Sequence, residues 1–337
     1  MKTLVSLLAA SLSAALLAAC GGLGASTPAA PSSSALVPNP THHVSSDANL
    51  YVANAGNDSV TVYEPSKDSP IRTISQGVNH PSAIIFDRSG NMFVANPDHN
   101  NVRMYPSGGK KPLQAIHVAS PSALALDASG NLYVGGGRAV EVYAPGATSP
   151  LRTISDGIAD PVALVFGASG KLYVANYGGN TVTVYAPGST RLIKTISGTV
   201  STPCALAFDS SGNLYVDNQL DNTIAVFKPG ATKPLRVIGD GLDIPRAIAF
   251  DSVGNLYAAN SENSTVTIYP RGKTSPTGII TDGISAPWAL EFDGAGNLYV
   301  ANDAPGQNVT VYPPGSTSPQ RTIQYGVSSP TALAFGP

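Results

Sequence analysis

A repeat of about 40 residues covers most of the chain and restricts its fold to a few architectures. Each copy begins with a proline that is followed two residues later by alanine, and it contains a segment similar to Gly-Asn-Leu-Tyr-Val-Ala-Asn. The starting prolines recur at intervals of 40 to 43 residues: Pro81, Pro121, Pro161, Pro203, Pro245, Pro287 and Pro330. Self-similarity at this period indicates a repeat protein, in which each copy is one supersecondary unit.

Each repeat divides into four short runs that have the composition of β-strands. The first two runs, such as 205–208 and 214–216, are apolar at nearly every position, as strands covered on both faces are. The third, such as 181–185, alternates polar with apolar residues, and the fourth, such as 151–154, is the shortest and most polar. Turns containing Asp, Pro and Gly join the runs as hairpins. A four-stranded antiparallel sheet with this decrease in burial is a propeller blade.

The two ends of the repeat region complete one blade between them. Residues 49–54 have the pattern of a second strand, whereas residues 330–335 have that of a first strand with nothing after it. The sequence therefore predicts an all-β fold over residues 47–337. This fold is a seven-bladed β-propeller of four-stranded antiparallel blades, closed by the C-terminal strand pairing into the N-terminal blade.

The first 46 residues predict an export signal and a lipid anchor. Residues 1–19 combine Lys2, an apolar run too short to span a membrane, and small residues before Cys20. Leu-Ala-Ala-Cys at 17–20 resembles the bacterial lipobox, which implies cleavage before Cys20 and acylation of that residue. Residues 20–46 are predicted to form the lipidated cysteine and a disordered tether with a reach of roughly 25–30 Å. Gly21 favours the outer membrane in a Gram-negative organism, and otherwise the extracytoplasmic face of the cell membrane is expected.

Composition limits the classes of partner. Charged residues are 12% of the chain, which leaves little charge for steering, and no stretch has the basic stripe that nucleic-acid binding requires. Cys204 is the only cysteine besides Cys20, so no intramolecular disulfide is expected once Cys20 is acylated. We expect a monomer that contacts the membrane through Cys20 and that has no cofactor.

The blade pattern, with Pro-x-Ala-Leu-Ala-Phe-Asp, Gly-Asn-Leu-Tyr-Val-Ala-Asn and Asn-Thr-Val-Thr-Val-Tyr segments, is similar to NHL repeats and to the YVTN-type repeats of microbial surface proteins. The resemblance covers residues 47–337 and implies a surface-exposed binding or interaction role. More distantly, the chain resembles gluconolactonase-like, strictosidine-synthase-like and virginiamycin B lyase-like propellers, in which enzymatic chemistry is expected. A fold shared by binding proteins and enzymes does not choose between these roles.

Departures from the repeat mark the candidate ligand site. The second residue of the first strand should lie at the axial mouth, on the end that carries the loops, and Arg246 and Trp288 are the outliers at that register. Asp217 replaces the usual alanine near the end of a second strand, and Glu291 replaces an aliphatic residue in a first strand. The complete set of candidate ligand-binding residues is His80, Asp160, Cys204, Asp217, Asp243, Arg246, Trp288 and Glu291.

Two functions from different classes are compatible with this set. In the first, a binding module uses Trp288 as a stacking platform, Arg246 to hold a carboxylate or sugar hydroxyls, and Asp217 as an acceptor for a small molecule, glycan or protein. A variant of it binds other proteins through the blade rims. In the second, a metal-dependent hydrolase or lyase holds an ion such as Ca²⁺ in the axial channel. Glu291, with Asp160 and Asp243 at the rim, is a sparse ligand set, so the binding module is preferred. Arg246 paired with a nearby acid as a purely structural group is the remaining alternative.

Overall fold

The computed structural model describes residues 47–337, and the predicted signal peptide, lipidation site and tether lie outside the described residues. Within 47–337, 28 strands form seven antiparallel sheets of four strands each. The predicted seven-bladed β-propeller is therefore confirmed. None of the helices within 47–337 has the length and apolar character needed to cross a bilayer.

Blades are numbered I to VII in chain order, and their strands run from the axis outward. Blade I contains β28 (Pro330–Gly336), β1 (Asn49–Asn54), β2 (Ser59–Tyr63) and β3 (Arg72–Ile74). Blade II contains β4 (Ala83–Phe86), β5 (Met92–Asn96), β6 (Asn101–Tyr105) and β7 (Gln114–His117). Blade III contains β8 (Pro121–Leu126), β9 (Leu132–Gly136), β10 (Ala139–Tyr143) and β11 (Arg152–Ile154). Blade IV contains β12 (Pro161–Phe166), β13 (Leu172–Asn176), β14 (Thr181–Tyr185) and β15 (Leu192–Ile196).

The remaining blades repeat this order. Blade V contains β16 (Pro203–Phe208), β17 (Leu214–Asn218), β18 (Thr223–Phe227) and β19 (Arg236–Ile238). Blade VI contains β20 (Pro245–Phe250), β21 (Leu256–Asn260), β22 (Thr265–Tyr269) and β23 (Gly278–Ile280). Blade VII contains β24 (Pro287–Phe292), β25 (Leu298–Asn302), β26 (Asn308–Tyr312) and β27 (Arg321–Ile323). Short 3₁₀ turns lie at Ala55–Asn57, Pro97–His99 and Gln219–Asp221.

Antiparallel pairing divides the connections between the two ends of the ring. The loops between the second and third strands, and those that lead from one blade to the next, share one end, which we call the loop face. The hairpin turns between the first and second strands and between the third and fourth strands share the opposite end, which we call the turn face. Every blade therefore contributes to both faces.

Aspartates shape the first hairpin turn in five blades. In blade V, Asp209 Oδ1 accepts hydrogen bonds from the backbone N–H groups of Ser211 and Asn213 at 2.9 Å, and its Oδ2 accepts one from the Asn213 amide at 2.8 Å. The same three contacts recur at four equivalent residues: Asp87, Asp127, Asp251 and Asp293. A carboxylate that accepts local N–H groups stabilises a turn, so the structural interpretation of these residues agrees with their geometry.

Side chains packed between neighbouring blades form the core. Each hydrophobic cluster combines one face of a blade with the facing side of the next. One example is the cluster of Val162, Ala175 and Leu206 that joins blades IV and V. An aromatic pair lies at six of the seven junctions between blades. In each pair a tyrosine packs edge-to-face against a phenylalanine of the next blade, with ring centroids 4.7–5.1 Å apart. Such edge-to-face pairs contribute about 0.5–1.5 kcal/mol each beyond area burial.

Pairing between the two ends of the described chain closes the ring. β28 runs antiparallel to β1, with Leu50 opposite Phe335 and Val52 opposite Leu333. Leu333 is buried in a cluster that contains residues of blade VII and blade I. The predicted closure by the C-terminal strand is therefore confirmed.

Replacing Leu333 with alanine tests the energetic weight of this closure. We expect Leu333→Ala to lower the free energy of unfolding by about 2–5 kcal/mol, because it leaves a cavity between two blades. Urea unfolding followed by circular dichroism measures the change. The matched control is Leu164→Ala at the same register of blade IV, where exposure is 6% against 3% at Leu333. A much smaller loss for Leu333→Ala than for Leu164→Ala would contradict closure by β28.

Candidate functional site

The second residue of each first strand lies at the loop-face end of the axis and forms a ring there, which we call the axial ring. In blade order its members are Thr331, Ser82, Ser122, Val162, Cys204, Arg246 and Trp288. In six blades the pairing register skips this residue, so that it occupies a β-bulge. A bulge redirects the side chain that it contains, which explains why these residues leave the ladder of their own blade.

Hydroxyl members of the axial ring link neighbouring blades. Thr331 Oγ1 donates to the carbonyl oxygen of Pro81 at 2.6 Å, and Ser122 Oγ donates to that of Pro161 at 2.5 Å. Ser82 Oγ donates to the carbonyl oxygen of Pro121 at 3.2 Å. In each case the acceptor begins the next blade. The register is therefore structural in blades I to III, where a small hydroxyl closes a contact between blades.

Arg246 and Trp288 replace this hydroxyl contact between blades VI and VII. The Arg246 Cζ atom lies 3.9 Å from the centroid of the Trp288 ring, closer than the four arginines that lie 5.7–5.9 Å from tyrosine rings elsewhere. Arg246 is 9% exposed and Trp288 is 7% exposed. A guanidinium at this distance makes a cation–π contact, which is stronger when desolvated. One face of the Trp288 ring is therefore already covered by the protein, and the Trp288 Nε1 has no hydrogen-bond partner.

Asp217 lies in the second strand of blade V and faces blade VI. It pairs with Ala205 and Ile224, and the residues at its register in the other blades are alanine or glycine. A Cβ at the equivalent Gly135 would lie 3.4 Å from the proline that begins the next blade, which shows where side chains of this register point. Asp217 is fully buried, and neither of its carboxylate oxygens has a hydrogen-bond partner. Burying a carboxylate in this way is costly, and the fold does not require it.

Electrostatics connect Asp217 with two members of the axial ring. Burial raises the pKa of the Asp217 carboxyl well above its usual range, and the neighbouring Cys204 raises this pKa further. The Arg246 guanidinium acts in the opposite direction and lowers the same pKa. Cys204 forms no disulfide within residues 47–337 and is fully buried. The structure therefore brings Cys204, Asp217, Arg246 and Trp288 together, and we call these four residues the axial cluster.

Glu291 lies apart from the axial cluster. It is three residues beyond Trp288 on β24, roughly 10 Å along the strand. Burial raises the pKa of the Glu291 carboxyl to about 8, and a hydrogen bond from the Phe292 backbone N–H at 3.4 Å opposes the shift. A carboxyl with this pKa keeps its proton at neutral pH, which distinguishes it from an ionised metal ligand.

His80, Asp160 and Asp243 lie at the rim of the loop face. His80 and Asp160 directly precede a starting proline, and all seven residues at that register have positive φ: His80, Ser120, Asp160, Thr202, Ile244, Ala286 and Ser329. The His80 Nδ1 lies 3.5 Å from an Asp98 carboxylate oxygen. Asp243 lies one register earlier, where its backbone N–H donates to Asn260 Oδ1 at 3.2 Å. These three residues are spread over separate blades and do not join the axial cluster.

The loops of the loop face are rich in carboxylates. Ten acidic residues lie in the loops of this face, against Arg138 as the single Lys or Arg in those loops of residues 47–337: Asp58, Asp98, Asp156, Asp160, Asp221, Asp240, Asp243, Glu262, Asp282 and Asp303. The prediction that the chain has little charge for steering is therefore incomplete. Few charged residues are present, but the fold places ten of the acidic ones in the loops of one face. A register comparison of the loops could have revealed this pattern in the sequence.

No group of three or more His, Cys, Asp or Glu side chains that could hold a metal ion occurs within residues 47–337. The expected Ca²⁺ under the enzyme hypothesis would therefore have to use backbone carbonyl or amide oxygens in addition to single carboxylates, as Ca²⁺ sites often do. The enzyme hypothesis and the binding hypothesis both remain predictions at this point.

Solved structures share this fold. The chain is similar to a functionally unknown protein from Desulfotomaculum acetoxidans DSM 771, with 13% identity, a TM-score of 0.73, and coverage of 86% of this chain and 99% of that chain. It is also similar to the WD40 β-propeller domain of Doa1, with 17% identity, a TM-score of 0.62, and coverage of 76% and 87%. No family model and no curated protein matches the sequence. The class defined by these findings is the seven-bladed β-propeller, a fold that generally supports binding and interaction.

Asp217→Asn tests whether the axial cluster carries a destabilising carboxylate. Below about pH 3 this carboxyl is protonated in both the folded and unfolded chains, so the two proteins should be equally stable. As pH rises, only the unfolded wild type ionises freely, because the folded-state pKa is raised. The variant should therefore become more stable than wild type, by about 1–3 kcal/mol at pH 7. Urea unfolding at about pH 3 and at pH 7 measures this difference.

The matched control is Asp209→Asn in the same blade, which removes an acceptor from a bonded turn and should lower stability at pH 7. A variant at Asp217 that is less stable than wild type at pH 7 would show that this carboxylate stabilises the fold.

Proposed function

We propose that this chain is a cell-envelope lipoprotein whose propeller is a non-catalytic binding module, with its ligand site at the axial cluster. The lipobox-like sequence at 17–20 supports the anchor. The NHL and YVTN resemblance of the repeats supports a surface-exposed binding role. The propeller fold agrees with both, since such rings commonly bind ligands at the axial mouth.

One observation carries the proposed site: a fully buried carboxylate without a hydrogen-bond partner lies beside the stacked Arg246 and Trp288. Blades I to IV have only alanine, glycine, small hydroxyls or valine at these registers. Residues that break the local rule without stabilising the fold are typical of functional sites. A ligand that donates hydrogen bonds to Asp217 would remove the cost of its burial.

The acidic loop face limits the ligand class. A carboxylated ligand must cross a rim of carboxylates before it reaches Arg246, whereas a neutral polyol or a cation meets no such barrier. Sugar hydroxyls can donate to Asp217 and accept from Arg246, and the edges of Trp288 offer apolar contact. Of the ligands that the sequence left open, a neutral glycan therefore suits the site better than a carboxylate.

Trp288 is the only tryptophan of the chain, so its fluorescence reports on the axial cluster directly. We expect a neutral oligosaccharide from a screening panel to change this fluorescence in a saturable way. Arg246→Ala should weaken the binding by roughly tenfold or more, because a charge-assisted hydrogen bond is lost. Fluorescence titration of the mature chain measures both effects.

Ser122→Ala is the control, since it changes the same register of the axial ring on blade III and should leave the affinity unchanged. A ligand that binds Arg246→Ala and wild type equally would place the binding site elsewhere on the propeller.

The anchor has its own test. Cys20→Ala should abolish incorporation of radiolabelled palmitate in cells that express the full chain, because the acylated thiol is removed. Cys204→Ala is the matched control, and it should leave labelling intact because Cys204 is buried in the propeller. Palmitate incorporation that persists in Cys20→Ala would refute the lipoprotein assignment.

Glu291 is the observation that favours the second candidate, a metal-dependent hydrolase or lyase. A carboxyl with a pKa of about 8 is protonated at neutral pH, so it can donate a proton as a general acid. Elemental analysis of the purified mature chain separates the two functions. Stoichiometric Ca²⁺ or Zn²⁺ would favour the enzyme, and retention of that ion in Glu291→Gln would agree with a general acid that does not itself bind the ion.

A further inference from the structure

The turn face is the basic side of the propeller. Ten Lys and Arg residues lie in its turns: Lys67, Arg88, Lys110, Lys111, Lys171, Arg191, Lys228, Lys233, Arg271 and Lys273. Five blades contribute to this set, so the positive charge is spread over the face rather than collected in a cleft. All ten except Lys171 are exposed. The face is therefore suited to an extended anionic surface.

Carboxylates on the turn face reduce this positive charge only in part. Five of them accept hydrogen bonds from the N–H groups of their own turns and are partly buried: Asp87, Asp127, Asp209, Asp251 and Asp293. Asp47, Glu64 and Asp68 are exposed, and Asp68 lies 3.2 Å from Arg321. The ten Lys and Arg residues therefore face eight carboxylates, five of which are engaged in their own turns. The opposite loop face carries ten acidic residues in its loops and one arginine. The fold therefore has opposite charge on its two faces.

Both ends of the described chain emerge on the basic face beside blade II. β1 begins at Asn49 opposite Gly336, at the end of the blade where the hairpin turns lie. Pro337 lies against the turns of blade II, since a Cβ at Gly90 would come within 2.8 Å of its ring. The same two turns carry Arg88, Lys110 and Lys111, which we call the basic patch. The segment that leads back to Cys20 therefore joins the propeller next to the basic patch.

We propose that the turn face binds the headgroups of an anionic lipid bilayer, with the basic patch as its main contact, so that the acidic loop face and the axial cluster point away from the membrane. The proposal rests on the proposed function for the acyl anchor at Cys20, which would hold this face near the bilayer. Lysine and arginine side chains are attracted to an anionic membrane surface, and several together give measurable binding. The opposite charge of the loop face adds to the orientation, because its carboxylates are repelled by the same surface.

Vesicle binding of the unacylated protein tests this surface without the anchor. The mature chain from residue 20, carrying Cys20→Ser, is mixed with two kinds of vesicle. One kind is phosphatidylcholine alone, and the other contains about 30% phosphatidylglycerol, which gives the bilayer a negative surface potential. We expect co-sedimentation only with the anionic vesicles. The binding should decrease strongly when salt is raised from about 0.05 to 0.5 M, because surface charges are then screened.

The triple variant Arg88→Gln, Lys110→Gln, Lys111→Gln should weaken binding to the anionic vesicles by roughly tenfold or more. Its matched control is Gln76→Glu, Arg138→Gln, Gln324→Glu, which changes the net charge by the same amount on the loop face. The control should bind as the unsubstituted chain does. Equal loss in both variants would show that net charge alone decides the binding, and this result would overturn the proposal.

Two further outcomes would also overturn it: equal binding to vesicles with and without phosphatidylglycerol, or binding to soluble polyphosphate but to neither vesicle. Failure of the anchor is distinguishable from failure of the surface. Absent palmitate labelling with intact binding to anionic vesicles removes the lipoprotein assignment and leaves the basic face as a membrane contact. Intact palmitate labelling without binding to anionic vesicles keeps the lipoprotein assignment and removes the basic face as a membrane contact.

Discussion

The pairing of β28 with β1 is the contact on which the rest of the structure depends. In a propeller each blade buries its two faces only against its neighbours, so an open ring would expose the facing sides of blades I and VII. Closure by the C-terminal strand joins residues at opposite ends of the chain, with Val52 opposite Leu333. Loop closure over such a separation costs entropy, and the hydrophobic clusters between all seven blades offset that cost together.

The same closed ring explains how the axial cluster can contain side chains that are unfavourable to bury. The second residue of each first strand, which is a bulge in six blades, lies next to the following blade, where a hydroxyl is sufficient to complete the contact in blades I to III. Blades V to VII instead contain a thiol, a buried carboxylate and a stacked Arg246–Trp288 pair. All seven blades contribute to the stability of the ring, so a few of them can accommodate groups that do not stabilise the fold.

Basic residues in the turns and acidic residues in the loops give the two faces of the ring opposite charge. Antiparallel strands bring the first-to-second and third-to-fourth turns to one end and the remaining connections to the other, so a bias repeated in several copies becomes a charged face. Acidic residues recur in the loops and basic residues recur in the turns, although the formal net charge of the whole chain is only −2. The two ends of the described segment, residues 47–337, lie on the basic face, and the axial cluster lies toward the acidic one. The proposed anchor and the proposed outward-facing ligand site both agree with this arrangement.

The sequence by itself determined the blade number, the strand order and the closing strand, because the spacing of the starting prolines and the alternation within each repeat are local properties. It also singled out Asp217, Arg246 and Trp288, because a repeat protein contains its own reference for each register. Only the tertiary structure decided that Arg246 covers the Trp288 ring, that Asp217 has no hydrogen-bond partner, and that Glu291, His80, Asp160 and Asp243 lie apart from them. These contacts join residues of different blades, and the twist and bulges that bring such side chains together exist only in the assembled ring.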